Sequence, residues 1–296
     1  MKHGVYAAGK RFEVYINGEM VKRANLKMHA ENFFAKTVGK AAVSIEKTEN
    51  RFHVNKRFEF LNKTVKMVAK GLQASAVVSG SGGLGKSFSV KKALIESGLK
   101  DISTIVAESE EGSNIRRARS FVIVKGYSTA KGLYRTLFEN NDTVIVFDDC
   151  DSVLKDPVAL NLLKGALDSY DTRIISWNAD MRDEDLPRSF IFTGRVVFIS
   201  NMSEDKIDQA IRSRSAVIDL SMTLQEVVDR MAVMIKEDEF LPMFDMSIKK
   251  DALKFIDNNK EKMSEVNLRT LITVAKVRAA DEDGTWAEHA EYLTCK

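Results

Sequence analysis

The spacing of apolar residues changes character along this chain. Over residues 11–23, "RFEVYINGEMVKR" alternates apolar and polar positions around Asn17-Gly18. That dipeptide reaches the positive φ values a tight turn demands, so a small N-terminal hairpin is predicted. A mixed stretch from Met28 to about Lys47 predicts helix, and "KRFEFLNKTVKMVAKGL" (56–72) sets Phe60, Leu61, Val65 and Val68 at helical intervals. Short continuous apolar runs then alternate with helix-like segments. The series is "SAVVSG", a helix from Lys86, "FVIVKG", a helix near 129–139, "TVIVFDD" and a helix from Asp156. It closes with "RVVFISN", a helix near 204–213 and "AVIDL". Asp156 can cap its helix, with Pro157 in the first turn where the missing donor costs nothing.

Uninterrupted apolar strands alternating with helices predict an α/β fold whose largely parallel sheet is covered on both faces. After Leu220 the pattern becomes helical to the C-terminus, opened by the capping-box sequence "TLQE" (223–226). The expected organisation is an N-terminal region with a β-hairpin (1–55), an α/β core (56–221) and an all-helical lid (222–296).

Composition narrows the class. With 44% hydrophobic and 29% charged residues over 296 positions, the chain can bury a sizeable core. No apolar run approaches the roughly 18 residues of a membrane span, and "MKHGVYAAGKRF" lacks the apolar centre of a secretory signal, so no membrane association and a cytoplasmic location are expected. Two cysteines, Cys150 and Cys295, support neither a disulfide framework nor a metal cluster. The net charge of +3 conceals an asymmetry, because residues 1–70 carry 15 Lys/Arg against 6 Glu and no Asp. Such a basic front fits nucleic acid, or simply a solvated face.

"GSGGLGKS" satisfies G-x-x-x-x-G-K-[ST] between an apolar strand and a helix. Its eight residues, Gly80, Ser81, Gly82, Gly83, Leu84, Gly85, Lys86 and Ser87, predict a phosphate cradle. The glycines let backbone N–H groups converge where the positive end of the helix dipole also points. Lys86 is expected to reach the β and γ phosphates of ATP, and Ser87 to complete the coordination of Mg²⁺. "TVIVFDDCD" (143–151) is the companion strand ending in carboxylates. Asp148 is expected to hold Mg²⁺ through water, and Asp149 to polarise an attacking water. No "NKxD"-type guanine motif stands where a GTPase needs one, so ATP is the expected nucleotide.

From about residue 56 to 280 the order of elements resembles the AAA+ ATPases. "VVFISN" is similar to the family's first sensor strand, which implies that Asn201 orients the nucleophilic water; a simple strand-ending turn is the alternative. "AIRSRSAVIDL" (210–220) resembles the segment presenting an arginine finger to the neighbouring subunit, and Ser213-Arg214-Ser215 is similar to the Ser-Arg-Cys of clamp loaders. Arg214 is the first candidate for that finger and Arg212 the second, the alternative being cations complementing a helix C-terminus. "SEVNLRTLITVAKVR" (264–278) resembles the second-sensor helix, which implies contact of Arg269 with the γ phosphate, against an exposed lid position. Asp149 departs from the family, where glutamate is usual, and the shorter acid puts rapid turnover in doubt.

"VKGYSTAKG" (124–132) resembles a central pore loop, making Tyr127 a candidate substrate contact, unless it belongs to an ordinary loop. "RIISWN" and "SFIFTGRVVFIS" bracket the polar tip 179–188, which resembles the hairpin inserted in helicase-like and unfoldase-like branches, a plain surface loop being the alternative. "DDCDSVLKDPVALNLLKGALDS" is similar to ATPases encoded by tailed bacteriophages. The resemblance implies a homo-oligomer, a ring or open ring with six subunits most expected, remodelling nucleic acid or protein. A clamp-loader-like switch, a protein-threading unfoldase and a nucleotide-bound assembly scaffold stay open.

Overall fold

The computed structural model describes residues 4–8, 11–16, 19–24, 50–103, 119–170, 172–178 and 186–295. The chain divides into two compact units, Met1–Arg51 and Phe52–Lys296.

In the first unit, β1 (Gly4–Ala8), β2 (Arg11–Ile16) and β3 (Glu19–Ala24) form an antiparallel meander. The expected hairpin is present as β2 and β3, pairing from Phe12 with Ala24 to Ile16 with Glu19, with an irregularity between Val14 and Tyr15. Strand β1, which the alternation did not announce, adds to its outer edge. Asn17-Gly18 and the expected helix of 28–47 lie outside the described residues.

In the second unit, α1 (Val54–Ala69) buries Phe58, Leu61, Val65 and Val68 and leads into the sheet. The sheet holds β4 (Ser75–Ser79), β5 (Lys100–Asp101), β6 (Ser120–Lys125), β7 (Val144–Asp148), β10 (Arg195–Ile199) and β11 (Ala216–Asp219). Its spatial order is β11-β4-β10-β7-β6-β5, and every pairing is parallel. The crossovers carry α2 (Lys86–Glu96), α3 (Ala130–Glu139), α4 (Pro157–Ala166) and α5 (Gln209–Arg214). Asp156 caps α4 as expected, accepting from the N–H groups of Val158 at 2.7 Å and Ala159 at 3.1 Å.

Alternate strand residues feed opposite faces. Val77, Ile145, Phe147, Val196 and Phe198 join one apolar layer, while Ala76, Val78, Val144, Val146 and Val197 join the other. Each Val, Ile or Phe among them contributes about 1.5–3 kcal/mol when fully buried. Both faces being covered is why these strands read as unbroken apolar runs instead of alternating ones. Between β7 and β10 the chain inserts a separate antiparallel pair, β8 (Ile174–Ser176) and β9 (Ser189–Ile191); residues 179–185 of its tip are outside the described set. The helix expected over 204–213 is shorter: a 3-10 turn at Glu204–Lys206 precedes α5, whose start is fixed by Asp208 accepting from the Ala210 N–H at 2.8 Å.

The C-terminal helices are α6 (Leu224–Met234), α7 (Met246–Asn259), α8 (Leu268–Ala279) and α9 (Trp286–Thr294). Thr223 and Glu226 form the complete capping box at the start of α6. Among the described residues these helices carry no strand, only an isolated bridge between Met263 and Cys295. Their core includes Val227, Met231, Leu268 and Leu271, together with Leu84 from the glycine-rich loop. No helix of the described residues is long and apolar enough to cross a membrane.

Candidate functional site

The site forms where β4, β7 and β10 end side by side and α2 begins. The loop 80–85 turns between β4 and α2 under two steric constraints. At Gly80, φ is +137° and a β-carbon would stand 2.9 Å from the Leu220 carbonyl; at Gly83, φ is +72° and a β-carbon would stand 2.9 Å from Asn267. Only glycine meets both conditions. The second contact is part of a dock between loop and lid. The Leu268 N–H donates to the Gly83 carbonyl at 2.8 Å, and Asn267 caps α8 by accepting from Arg269 and Thr270.

Lys86 is 5% exposed, and its three N–H donors are all used: to the carbonyls of Gly80 at 2.6 Å and Ser81 at 2.7 Å, and to Asn201 Oδ1 at 3.0 Å. Burial pulls its pKa down to about 8, with the nearby Asp149, Asp148 and Asp151 opposing the shift and Arg269 adding to it. An ammonium poised near neutrality in a buried pocket gains most from an arriving anion.

Ser87 Oγ donates to Asp148 Oδ1 at 2.7 Å. Asp148 ends β7 almost wholly buried, a costly place for a charge unless it is paired. Lys125 supplies the pairing charge, with its Nζ 3.2 Å from Asp148 Oδ2. Asp149, by contrast, is exposed and takes φ +58°, a left-handed conformation uncommon for a residue with a side chain. Its N–H donates to the Ile199 carbonyl at 3.1 Å, which holds the bend against β10. Asn201 Nδ2 donates to Asp149 Oδ1 at 2.7 Å, so Asn201 links Lys86 to Asp149. The neighbouring Ser200 is fixed in turn by donating to Asp151 at 2.6 Å.

These groups surround one cleft of about 160 Å³, into which α8 brings Arg269. Lys86, Ser87, Asp149, Asn201 and Arg269 all line it, with Gly82, Gly83 and Gly85 on the loop side. The donor set suits a triphosphate and a hard divalent ion. Loop amides and two cations face one space, and the oxygens of Ser87 and Asp148 stand beside it. Among the described residues no group of three or more His, Cys, Asp or Glu side chains stands ready for a metal. A magnesium ion would therefore be held by Ser87, Asp148 and the phosphates it accompanies.

Three sequence candidates lie elsewhere. Arg212 and Arg214 sit on α5, half-buried and away from the cleft. Arg214 donates to the Ala210 carbonyl of its own helix at 3.1 Å, and both Nε atoms are buried with no hydrogen-bond partner among the described residues. Tyr127 is 82% exposed in the loop between β6 and α3. Sequence reasoning missed Lys125, whose place opposite Asp148 depends on strand order, and the dock of Asn267 and Leu268 onto Gly83.

A strand, a glycine-rich turn and a helix opening on Lys-Ser, set in a six-stranded parallel sheet, make this a phosphate-loop nucleotide-binding fold. An uncharacterized 36.7 kDa protein in the nrdC-mobD intergenic region of Enterobacteria phage T4 is 30% identical over 255 residues, covering 80% of this chain and 73% of the phage protein. The chain belongs to the family of that phage protein. No protein-family model matches it. Among solved structures, NtrX from Brucella abortus in complex with ATP overlays with a TM-score of 0.43 at 12% identity, over 88% of this chain. The same protein in complex with ADP gives 0.46 at 14% identity, over 86% of this chain. This chain spans 60% and 57% of those two chains.

Proposed function

We propose that this protein is an AAA+ type ATPase that binds MgATP in the cleft and hydrolyses it to drive work on a macromolecule. The observation that carries the reading is the convergence of Lys86, Ser87, Asp149, Asn201 and Arg269 on one space beside the buried Asp148. The loop amides and Lys86 bind the phosphates, Arg269 adds positive charge from the lid, and Ser87 with Asp148 holds Mg²⁺. The ion neutralises charge on the β and γ phosphates. Asp149 accepts a proton from the attacking water, and Asn201 orients that carboxylate through its 2.7 Å bond. The water oxygen bonds to the γ phosphorus as the bond to the β–γ bridging oxygen breaks, leaving ADP and phosphate.

Transition-state charge on the γ phosphoryl group calls for a further fixed cation. Arg214, or failing it Arg212, provides that charge to a neighbouring copy, which makes the working form a homo-oligomer, a ring or open ring with six subunits as first choice. The phage T4 relative supports a phage setting. The host cytoplasm as the place, and DNA replication or processing as the field of action, are further parts of this proposal. Tyr127, exposed in the loop between β6 and α3, contacts the macromolecule.

A second reading, an ATP-dependent loader or switch, is favoured by one feature. Asp149 is a short acid on a left-handed backbone, so its reach toward a water is limited. Steady-state ATP hydrolysis against protein concentration, with and without DNA and with Lys86→Ala as blank, tests both readings. Cooperative turnover supports the motor, and slow turnover stimulated only by a partner supports the switch. No turnover above the blank refutes the ATPase.

A further inference from the structure

The link between β11 and α6, residues 220–223, is held by two neighbours. One is the glycine-rich loop, which Gly80 allows to approach Leu220 more closely than any other residue would. The other is Arg57 of α1, 3% exposed, whose guanidinium donates to the Ser221 carbonyl and to Glu226 Oε1. Glu226 is committed twice, because its Oε2 also accepts from the Thr223 N–H at 3.0 Å and closes the capping box that starts α6. One arginine thus grips both the hinge backbone and the first turn of the lid. Two more side chains of α1 meet α6: His53 Nε2 lies 3.2 Å from Asp229 Oδ2, and the Arg230 guanidinium stands 3.8 Å from the centre of the Phe58 ring. The His53 pair is exposed, whereas Arg57 and Glu226 are 3% and 20% exposed. A buried ion pair is a poor way to glue two helices, since apolar residues of similar size do so at least as well. What a guanidinium adds is direction, because its rigid fork fixes two acceptors at once.

We propose that Arg57 is a positioning residue: by clamping Ser221 and Glu226 it sets the angle of the lid, and through the lid it holds Arg269 at the cleft before nucleotide arrives. The inference deepens the ATPase reading above and rests on it for the role of Arg269. The path is short. Val227 and Met231 of α6 share one apolar core with Leu268 and Leu271 of α8, so the two helices move as a packed pair. Helix α8 brings Arg269 to the cleft, and its Leu268 N–H donates to the Gly83 carbonyl at 2.8 Å. A turn of α6 about the hinge therefore displaces Arg269 and breaks the contact with Gly83 together. The lid is pinned at both ends of this path, by Arg57 at the hinge and by Gly83 at the loop.

The test uses the full chain and two readouts. The first is amide hydrogen exchange without nucleotide. Arg57→Lys, which keeps the charge but loses the fork, should speed exchange of the Leu268 N–H by about tenfold or more, while core amides such as those of Val77 and Phe198 keep their rates. Glu226→Gln, which retains a capping-box side chain, should act in the same direction and carries the test if Arg57→Lys does not fold. His53→Ala, at the exposed pair of the same interface, should leave the Leu268 rate within about twofold. The second readout is steady-state ATP hydrolysis. Arg57→Lys should lower kcat about ten- to a hundredfold, with a smaller change in KM, as expected for a group displaced by about 1 Å. In an Arg269→Ala background the same substitution should cost no more than about a further twofold, because the group it positions is already gone. An unchanged Leu268 rate in folded Arg57→Lys and Glu226→Gln proteins overturns the inference, as does an equal acceleration by His53→Ala. Losses of kcat that multiply with those of Arg269→Ala overturn it too. No hydrolysis by the unaltered protein overturns the ATPase reading and with it the role given to Arg269, whereas the exchange rates judge the clamp on the lid independently.

Discussion

Lys86 and Arg214 are both cations next to the parallel sheet, and their surroundings differ in kind. Lys86 is buried with each donor matched: two carbonyls of its own loop and the amide oxygen of Asn201. Arg214 is half-buried with a single bond to its own helix and a buried Nε that has no partner among the described residues. A folded chain leaves few buried donors unpaired, so such exceptions call for a reason. The cleft around Lys86 is lined by residues of one chain, while Arg212 and Arg214 on α5 stand away from it. In the proposed ATPase this contrast separates binding, which one subunit performs, from turnover, which needs two.

The largest effect that would sharpen the contrast is on Lys86. Lys86→Ala should reduce ATP hydrolysis at least about a thousandfold, to the rate without protein, since it removes the fixed charge facing the transferred phosphoryl group. Arg214→Ala should cut turnover by about a hundred- to a thousandfold while nucleotide affinity stays within about twofold. Mixing Arg214→Ala with Asp149→Asn subunits should restore part of the activity, because one mixed interface carries both intact groups. If the two co-assemble and activity stays absent, the assignment of Arg214 to a neighbouring site is wrong.

Smaller effects probe the cleft itself. Leu84→Ala removes a buried side chain shared by loop and lid and should cost about 2–5 kcal/mol, read as a lower melting temperature, with nucleotide affinity falling as the lid loosens. The Lys86 pKa of about 8 gives a weaker but signed prediction. Below pH 8 the free protein already carries the ammonium; above it the amine is mostly neutral, and bound phosphate raises its pKa again. ATP binding at pH 9 should therefore take up a proton, and affinity should fall by up to about tenfold per pH unit there. Calorimetry in buffers of different ionisation enthalpy measures that uptake, and Lys86→Met should abolish it. In the free protein the same depressed pKa means stability is penalised below pH 8 and recovers as pH rises toward the ordinary lysine value of 10.5.

Much of this frame was legible in the sequence because it depends on local pattern. Continuous runs such as "TVIVFDD" announced strands covered on both faces, the loop glycines and Lys86 announced the cradle, and Thr223 with Glu226 announced the first lid helix. What stayed hidden depends on strand order or on contacts across the chain. Nothing in "FVIVK" tells that Lys125 will stand opposite Asp148, because that requires knowing that β6 and β7 are neighbours. Leu84 reads as a loop residue, yet its side chain joins the lid core, which only the docking of α8 onto the loop explains. The two-residue β5 was too short to leave a pattern, and β1 is followed by Gly9-Lys10, a weaker turn signal than Asn17-Gly18.

The central claim is that the cleft holds the phosphates of ATP through Lys86 and its loop. Isothermal titration of MgATP into the unaltered protein and into Lys86→Ala at pH 7 tests it most directly, with melting temperatures measured alongside. The account predicts saturable binding of one nucleotide per chain, weakened at least tenfold in a variant that remains folded. Equal affinity in the two proteins, or no binding to the unaltered one, would contradict it.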